Sequence, residues 1–444
     1  LEAFGNAKTL RNDNSSRFGK YIKIQFNSDG RIVGASLEKY LLEKTRVVHQ
    51  SIGERNYHIF YQLLRGGTKE LLSALRLTNN VNDYNIVQCQ QSTITNVSDA
   101  EEFFLTCDCM QSIGIDDTLQ YRVFSLLAGI LHLGNIEYID NHSDEKGNDL
   151  TTSSIKIIQN VAAMFGVDSS SLLTSMTTQN MYVGETVITK FLTHAQSNDR
   201  RDSFAKSIYS MVFNWLFDRI NSTIASAKED VQGVIGVLDI YGFENFSSGN
   251  GFEQLLINYA NEKLQSHFNK HIFQIEQQEY EAEGIDWSYI TFNDNQPCVD
   301  LIDGKPYGKA GIFQTLDDAP TNGRQDVNVN FLAQLNSQWA STTQKHSNYV
   351  APRFNSDTQF GIQHYAGIVY YDIDGFNEKN RDCTNSTMKE LLANSSNELL
   401  KSMAEATICQ ELAESLGLSD KVTDRNSLNA KNKSTKLKAK SITS

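Results

Sequence analysis

Only four of the 444 residues are proline, and the six cysteines (89, 107, 109, 298, 383 and 409) show no C-x-x-C spacing. The first fact excludes a collagen-like or proline-rich disordered chain, and the second a zinc finger or ribbon. Cys107 and Cys109, the one close pair, read as reduced thiols of a cytosolic protein. No apolar run approaches the roughly 18 residues of a transmembrane helix. Leu1-Glu2-Ala3-Phe4 offers neither a basic start nor an apolar h-region, so no secretory signal is visible. Triplets such as Asn96-Val97-Ser98 therefore carry no glycosylation signal. An initiator Met is also lacking, and the chain reads as a fragment. The phosphate-cradling pattern G-x-x-x-x-G-K-[ST] does not occur. Gly304-Lys305-Pro306-Tyr307-Gly308-Lys309-Ala310 has one spacer too few and Ala where a metal-binding hydroxyl belongs.

What is present is ordinary globular material: 40% hydrophobic and 21% charged residues, enough for two to four domains. A net charge of −13 argues against a nucleic-acid binder. The charge is uneven, however. Residues 421–444 hold seven basic side chains against the single acid Asp424, a local +6 that leaves −19 elsewhere. This Asn- and Ser-rich tail is expected to be disordered, and its charge suits an acidic partner surface.

Residues 18–26 alternate, the turn Asn27-Ser28-Asp29-Gly30 follows, and Arg31-Ile32-Val33 begins a return strand, which predicts a hairpin. A helix is predicted over 116–133, with Asp116 or Asp117 as cap and Gly134 as stop. A second is predicted from about Asp202, burying Phe204, Ile208, Met211, Trp215 and Leu216. The apolar run Val234-Ile235-Gly236-Val237-Leu238 predicts a fully buried strand of a parallel or mixed sheet. A long helix is predicted from near Asn250 to Gly284, roughly 45 Å at 1.5 Å per residue. Sheet is expected again at residues 360–365 and 368–371.

Two polar clusters can carry chemistry. One is Arg11-Asn12-Asp13-Asn14-Ser15-Ser16-Arg17-Phe18-Gly19-Lys20, just before a strand. The other is Asp239-Ile240-Tyr241-Gly242-Phe243-Glu244, just after one. A carboxylate ending a strand can orient Mg²⁺, the unhindered Gly N–H can approach a phosphate, and Ser hydroxyls are hard oxygen ligands.

Taken together, these clusters resemble switch I and switch II of the myosin motor family. Phe252-Glu253-Gln254-Leu255-Leu256-Ile257-Asn258-Tyr259-Ala260-Asn261-Glu262-Lys263-Leu264-Gln265 resembles its relay helix. His364-Tyr365-Ala366-Gly367-Ile368-Val369-Tyr370-Tyr371 and Gly375-Phe376-Asn377-Glu378-Lys379-Asn380-Arg381-Asp382 resemble its lower actin-binding subdomain. The resemblance covers almost the whole chain and is of the unconventional type. It implies a fragment cut at both ends, without P-loop, converter or lever, so that light chains or calmodulin would bind only through the missing lever. The implied fold is α/β: part of a P-loop-NTPase-like twisted central sheet with two mainly helical lobes, the upper and lower actin-binding subdomains. The expected division is 1–35 (core strands and switch I), 36–230 (upper subdomain), 231–245 (core strand and switch II), 246–420 (relay helix and lower subdomain) and 421–444 (a flexible basic loop). Parts of the sheet are expected to be missing, leaving an exposed apolar edge and poor solubility.

The resemblance further implies ATP and Mg²⁺ as ligands and the actin filament as partner, in the cytoplasm on the cytoskeleton (myosin complex). Asn12 would contact the phosphates, Ser15 would position the attacking water, and Ser16 and Asp239 would hold Mg²⁺. The Gly242 N–H would bond the γ-phosphate, and Arg17 and Glu244 would pair when the switches close. Lys431, Lys433, Lys436, Lys438 and Lys440 would meet acidic actin. Thr186, in Gly184-Glu185-Thr186-Val187-Ile188-Thr189-Lys190, resembles the regulatory position of the actin-contacting cardiomyopathy loop, counted 16 residues back from the Asp (Asp202) taken to open the next helix. Two other readings compete. One is a P-loop-less actin-binding remnant without ATP turnover. The other, remote, is a kinesin-type motor, which shares Ser-Ser-Arg but differs in the residues after each switch.

Overall fold

A computed structural model describes residues 1–89, 93–140, 148–183, 186–226, 231–247, 249–285, 294–319, 327–340, 345–355, 357–380 and 386–415. The chain forms two compact units: residues 1–15, 44–228 and 384–444 make the first, and 16–43 with 229–383 the second. The expected 1–35 segment is thus divided after Ser15. The basic tail, with its five candidate lysines, lies outside the described residues.

The first unit is mainly helical, with two short antiparallel strand pairs, Tyr138–Asp140 with Asn148–Leu150 and Thr178–Val183 with Thr186–Phe191. Helix α1 (His58–Gly66) is buried along nearly its whole length. Helix α2 (Asp117–Leu133) starts where the sequence placed it, with Asp116 Oδ1 accepting from Leu119 N at 2.9 Å. The capping carboxylate satisfies an amide that the helix itself cannot. Val123, Leu126, Leu127 and Ile130 are fully buried. Gly134 ends α2 for a reason the sequence did not give. Its φ of −62° is ordinary, but a Cβ there would lie 2.3 Å from Ile86 Cγ2.

Helix α3 runs from His194 to Ile224, starting eight residues before Asp202. Thr193 Oγ1 accepts from Gln196 N, and Gln196 Oε1 accepts from Thr193 N, a reciprocal cap. The polar run Asn198-Asp199-Arg200-Arg201 hid this start, because it gives the first turns no apolar stripe. Within α3, Phe204, Ile208, Met211 and Leu216 are buried, while Trp215 is half-buried. Tyr209 stacks on Tyr57 at 4.9 Å and donates its hydroxyl to Phe4 O at 2.7 Å.

The C-terminal helices Ser386–Ala393 and Glu398–Ser415 also belong to this unit, whereas the sequence-based division ran its last lobe unbroken to residue 420. Ser395 Oγ donates to Phe165 O (2.6 Å), Ser396 N to Gly166 O (2.8 Å), and Arg122 pairs with Glu398 (2.8 Å).

The second unit holds two antiparallel sheets. In the first, β1 (Gly19–Phe26) and β2 (Ile32–Tyr40) form the expected hairpin, and β3 (Gly233–Asp239) pairs with the other side of β1. Asn27 Oδ1 accepts from the amides of Asp29 and Arg31, and Gly30 takes φ +73°, open to a residue without Cβ.

Strand β3 corrects the sequence reading. It is antiparallel and lies at an edge, with Val234, Ile235, Val237 and Leu238 each about half exposed. Its apolar character is real, but no described strand covers its outer side. An exposed apolar edge is a template for pairing. The double substitution Ile235→Lys/Val237→Lys is therefore expected to shift the isolated chain from aggregate toward monomer in sedimentation velocity. Unchanged aggregation would place the sticky surface elsewhere.

The second sheet orders β4 (Tyr349–Val350), β5 (Gln359–His364) and β6 (Gly367–Asp372). Its core includes Phe331, Trp339, Phe360, Tyr371 and Phe376. Helix α4 (Phe252–Asn269) packs Phe252 and Leu255 into that core. The helical path continues through a π segment (Lys270–Ile275) into Glu276–Ala282, and Gly284, at φ +70°, ends it as expected. Helix α5 (Gln296–Asp303) packs on α4 and buries Cys298. The composition is thus mixed helix and strand, but the described sheets are small and antiparallel. Among the described residues no helix is long and apolar enough to cross a membrane.

Candidate functional site

The second unit contains five of the expected residues, Ser16, Arg17, Asp239, Gly242 and Glu244. Arg17, two residues before β1, is 5% exposed. Its Nε donates to Glu43 Oε2 at 2.6 Å, and its Nη1 lies 3.6 Å from Glu244 Oε1. The guanidinium also sits 5.3 Å from the centre of the Tyr241 ring. Both carboxylates are largely shielded from water, so each charge depends on the others. Glu43 was absent from the sequence-based set. Its signal lay in the hairpin register: Gly19 pairs with Tyr40, and extending that ladder past β2 returns the chain to Arg17, where Glu43 N donates to Arg17 O at 3.0 Å.

Asp239 ends β3 directly opposite Lys20, and their side chains pair at 2.8 Å. Ser16 and Asp239 together offer a hydroxyl and a half-exposed carboxylate, the hard oxygen donors that Mg²⁺ takes, so this chemistry fits the ion. Gly242 follows in an open stretch. A Cβ there would meet nothing within 4 Å, so packing does not demand the glycine.

Helix α4 fixes the next residues. Asn258 brackets the Glu244 peptide: its Oδ1 accepts from Glu244 N (2.8 Å) and its Nδ2 donates to Glu244 O (2.7 Å). Asn261 Nδ2 donates to Tyr241 O at 3.1 Å, and Gln254 Nε2 to Glu244 Oε2 at 3.2 Å. Asn258 and Asn261 hold the 241–244 segment by its backbone, independently of side-chain charge, while Gln254 steadies the Glu244 carboxylate itself.

Asn12 and Ser15 belong to the first unit. Asn12 Oδ1 accepts from Asn14 N at 2.9 Å, shaping the turn, while Lys8 pairs with Asp13. Asn14 Oδ1 in turn takes hydrogen bonds from Asn6 Nδ2 (3.0 Å) and His58 Nε2 (3.1 Å), which places a proton on that nitrogen. His58 is 8% exposed. Burial first, then the positive charge of Arg55, pushes its pKa down to about 4. Arg55 itself is fully buried over the Tyr61 ring and paired with Asp99. Neither His58 nor a role for Asn14 was legible beforehand, since 44 residues separate the partners.

Thr186 stands at the first position of the strand Thr186–Phe191 in the first unit, paired in register with Val183. Its neighbours Gly184 and Glu185 lie outside the described residues. The count that selected Thr186 loses its landmark, because Asp202 sits inside α3 and does not open it.

The sequence profile of the family described as myosin head (motor domain) matches residues 1–444. The chain is 43% identical over 412 residues to Myosin-2 of Lachancea kluyveri, covering 91% of this chain and 25% of that protein. It is 42% identical over 401 residues to Myosin-I heavy chain of Dictyostelium discoideum, covering 90% and 16%. It is 43% identical over 403 residues to Myosin-52 of Schizosaccharomyces pombe, covering 89% and 26%. The chain thus spans about a quarter or less of the length of these relatives, and the kinesin-type reading finds no support among the matches.

Proposed function

Because the chain belongs to the myosin head (motor domain) family, we propose that it is the part of an actin-based motor carrying both switches, the relay helix and actin-contacting surfaces. The motor hydrolyses ATP and couples that step to its grip on actin. Arg17 carries this proposal: a shielded cation from the first motif, 3.6 Å from Glu244 of the second. Two motifs read as phosphate sensors share one ion pair, as a nucleotide-closing device requires.

Phosphoryl transfer asks a protein mainly for positioning and electrostatics. Asn12 contacts the phosphates, Ser15 orients the attacking water, and the Gly242 N–H donates to the γ-phosphate. Ser16 and Asp239 would hold Mg²⁺, and the ion when bound would offset phosphate charge. Arg17 and Glu244 close over the site, and the 421–444 lysines draw the motor toward acidic actin. Light chains or calmodulin join through a lever outside this sequence. The setting is the cytoskeleton within the cytoplasm. This sequence has no G-x-x-x-x-G-K-[ST] loop, so hydrolysis is assigned to the complete motor and actin contact alone to the isolated chain.

In the motor that carries this chain, Gly242→Ala keeps the N–H but sets a Cβ beside it, and by holding the γ-phosphate off that donor is expected to lower the phosphate burst by about 100-fold. ATP binding, followed with a fluorescent analogue, should persist. An undiminished burst would remove Gly242 from the mechanism.

A further inference from the structure

Behind the Glu244 peptide lies a buried polar chain that the hydrolysis scheme does not use. Asn258 spends one amide proton on Glu244 O and the other on Tyr371 Oη, 2.9 Å away on β6. Tyr371 Oη lies 2.7 Å from His364 Nε2, at the end of β5. His364 Nδ1 lies 3.1 Å from Glu262 Oε1 on α4. Glu262 Oε1 also accepts from Tyr365 N at 2.7 Å, and its Oε2 from Asn295 Nδ2. Asn258, Glu262 and Tyr371 are fully buried, and His364 is 2% exposed.

For a neutral His364 ring the proton count has one solution. Nδ1, facing the Glu262 carboxylate, carries the ring proton and donates to it, Nε2 accepts from the Tyr371 hydroxyl, and Tyr371 accepts from Asn258. Burial acts most strongly on the Glu262 carboxyl, upward. The hydrogen bonds from His364, Asn295 and the Tyr365 amide outweigh it, leaving the group below its usual range. Cys298 Sγ is 3.8 Å from His364 Nδ1, and the three donors have metal-like spacing. With Nδ1 protonated, however, His364 has no lone pair to offer there, Glu262 Oε1 already accepts from that ring and from the Tyr365 amide, and burial pushes the thiol up.

Tyr371 sits among phenylalanines: Phe360, its neighbour at 5.6 Å, and Phe331 and Phe376 in the same core. A phenylalanine would fill this place equally well by shape. It would leave an Asn258 N–H and His364 Nε2 without partners in a dry interior, which costs more than a hydrogen bond contributes. The hydroxyl therefore does something packing does not require.

We propose that Tyr371 is a positioning residue: through Asn258 its hydroxyl fixes the Glu244 peptide, so the β5–β6 hairpin sets where Glu244 stands against Arg17. This rests on reading Arg17 and Glu244 as the closing pair of the nucleotide site. His364 and Glu262 anchor the hydroxyl from the other side.

The test is amide hydrogen exchange on the full chain, without nucleotide, comparing Tyr371→Phe with the unmodified protein. Exchange at the Glu244 amide should quicken by about tenfold, the loss of one net hydrogen bond. Ladder amides of β5 and β6, such as those of Ile362 and Val369, should keep their protection. An unchanged Glu244 amide, or equal loosening of the ladder, would overturn the proposal. If Tyr371→Phe does not fold, His364→Gln serves instead, with faster Glu244 exchange expected and an unchanged rate contradicting the role. In the motor, Tyr371→Phe should lower kcat for ATP with KM unchanged, and a rise in KM alone would contradict positioning. The exchange arm needs neither ATP nor actin, so failure of the motor reading would appear in the kinetics alone.

Discussion

Arg17→Glu is expected to destabilise the second unit by roughly 3–5 kcal/mol, and adding Glu244→Arg to recover only part of the loss. The reason is Glu43. It sits closer to the guanidinium than Glu244 does, 2.6 Å against 3.6 Å, and both carboxylates are shielded. A glutamate at position 17 would put three carboxylates together where burial forbids easy hydration. The swapped arginine relieves one repulsion and leaves Glu43 facing a like charge. Adding Glu43→Gln to the swapped pair should recover most of the remainder. Urea unfolding of the four proteins measures this directly. Full recovery in the double mutant would show that Glu43 contributes little and that the pair is self-contained.

Between pH 6.5 and about 4 the first unit is expected to lose about 3 kcal/mol of stability through His58 alone. In the unfolded chain this imidazole takes a proton near pH 6.5; in the fold it does so near 4. Across that window the unfolded state binds more protons, so stability falls as pH falls, and the full contribution is present above 6.5. The facing charges are Arg55, which opposes protonation, and Asp99 and Asp13, which favour it less strongly than burial disfavours it. Protonation would also give Asn14, already bonded to His58 Nε2, a charged neighbour beside the first motif. His58→Asn should flatten the slope of the urea midpoint between about pH 7.5 and about pH 5. An unchanged slope would assign the acid sensitivity to other groups.

The parts of the fold legible in the sequence were those fixed by local chemistry. Asp116 announces α2 because a carboxylate before an apolar stripe satisfies free amides, and Asn27-Ser28-Asp29-Gly30 announces the hairpin because Gly30 alone tolerates φ +73°. The 31-residue helical path over 252–282 followed from periodicity, but its π segment did not, since one extra residue per turn leaves no mark in composition. Strand β3 was misjudged because an apolar run reports what a segment prefers, not whether a neighbour is there to bury it.

The site divides the same way. Its motif residues stood out as polar groups at strand ends. Glu43, Asn258 and His58 did not, because each acts through a contact that only the folded chain makes. Two of them had signals within reach: the hairpin register for Glu43, and the helical face of α4 for Asn258. His58 had none, as its partner lies 44 residues away in another segment. The start of α3 was written in Thr193 and Gln196, and only the weight given to apolar periodicity concealed it.

The measurement that bears most directly on the account is co-sedimentation of the motor carrying this chain with actin filaments, with and without ATP and Mg²⁺. The motor is expected to pellet with filaments in the absence of nucleotide and to be released when ATP and Mg²⁺ are added. Equal pelleting in both conditions, or none in either, would contradict an ATP-gated grip on actin.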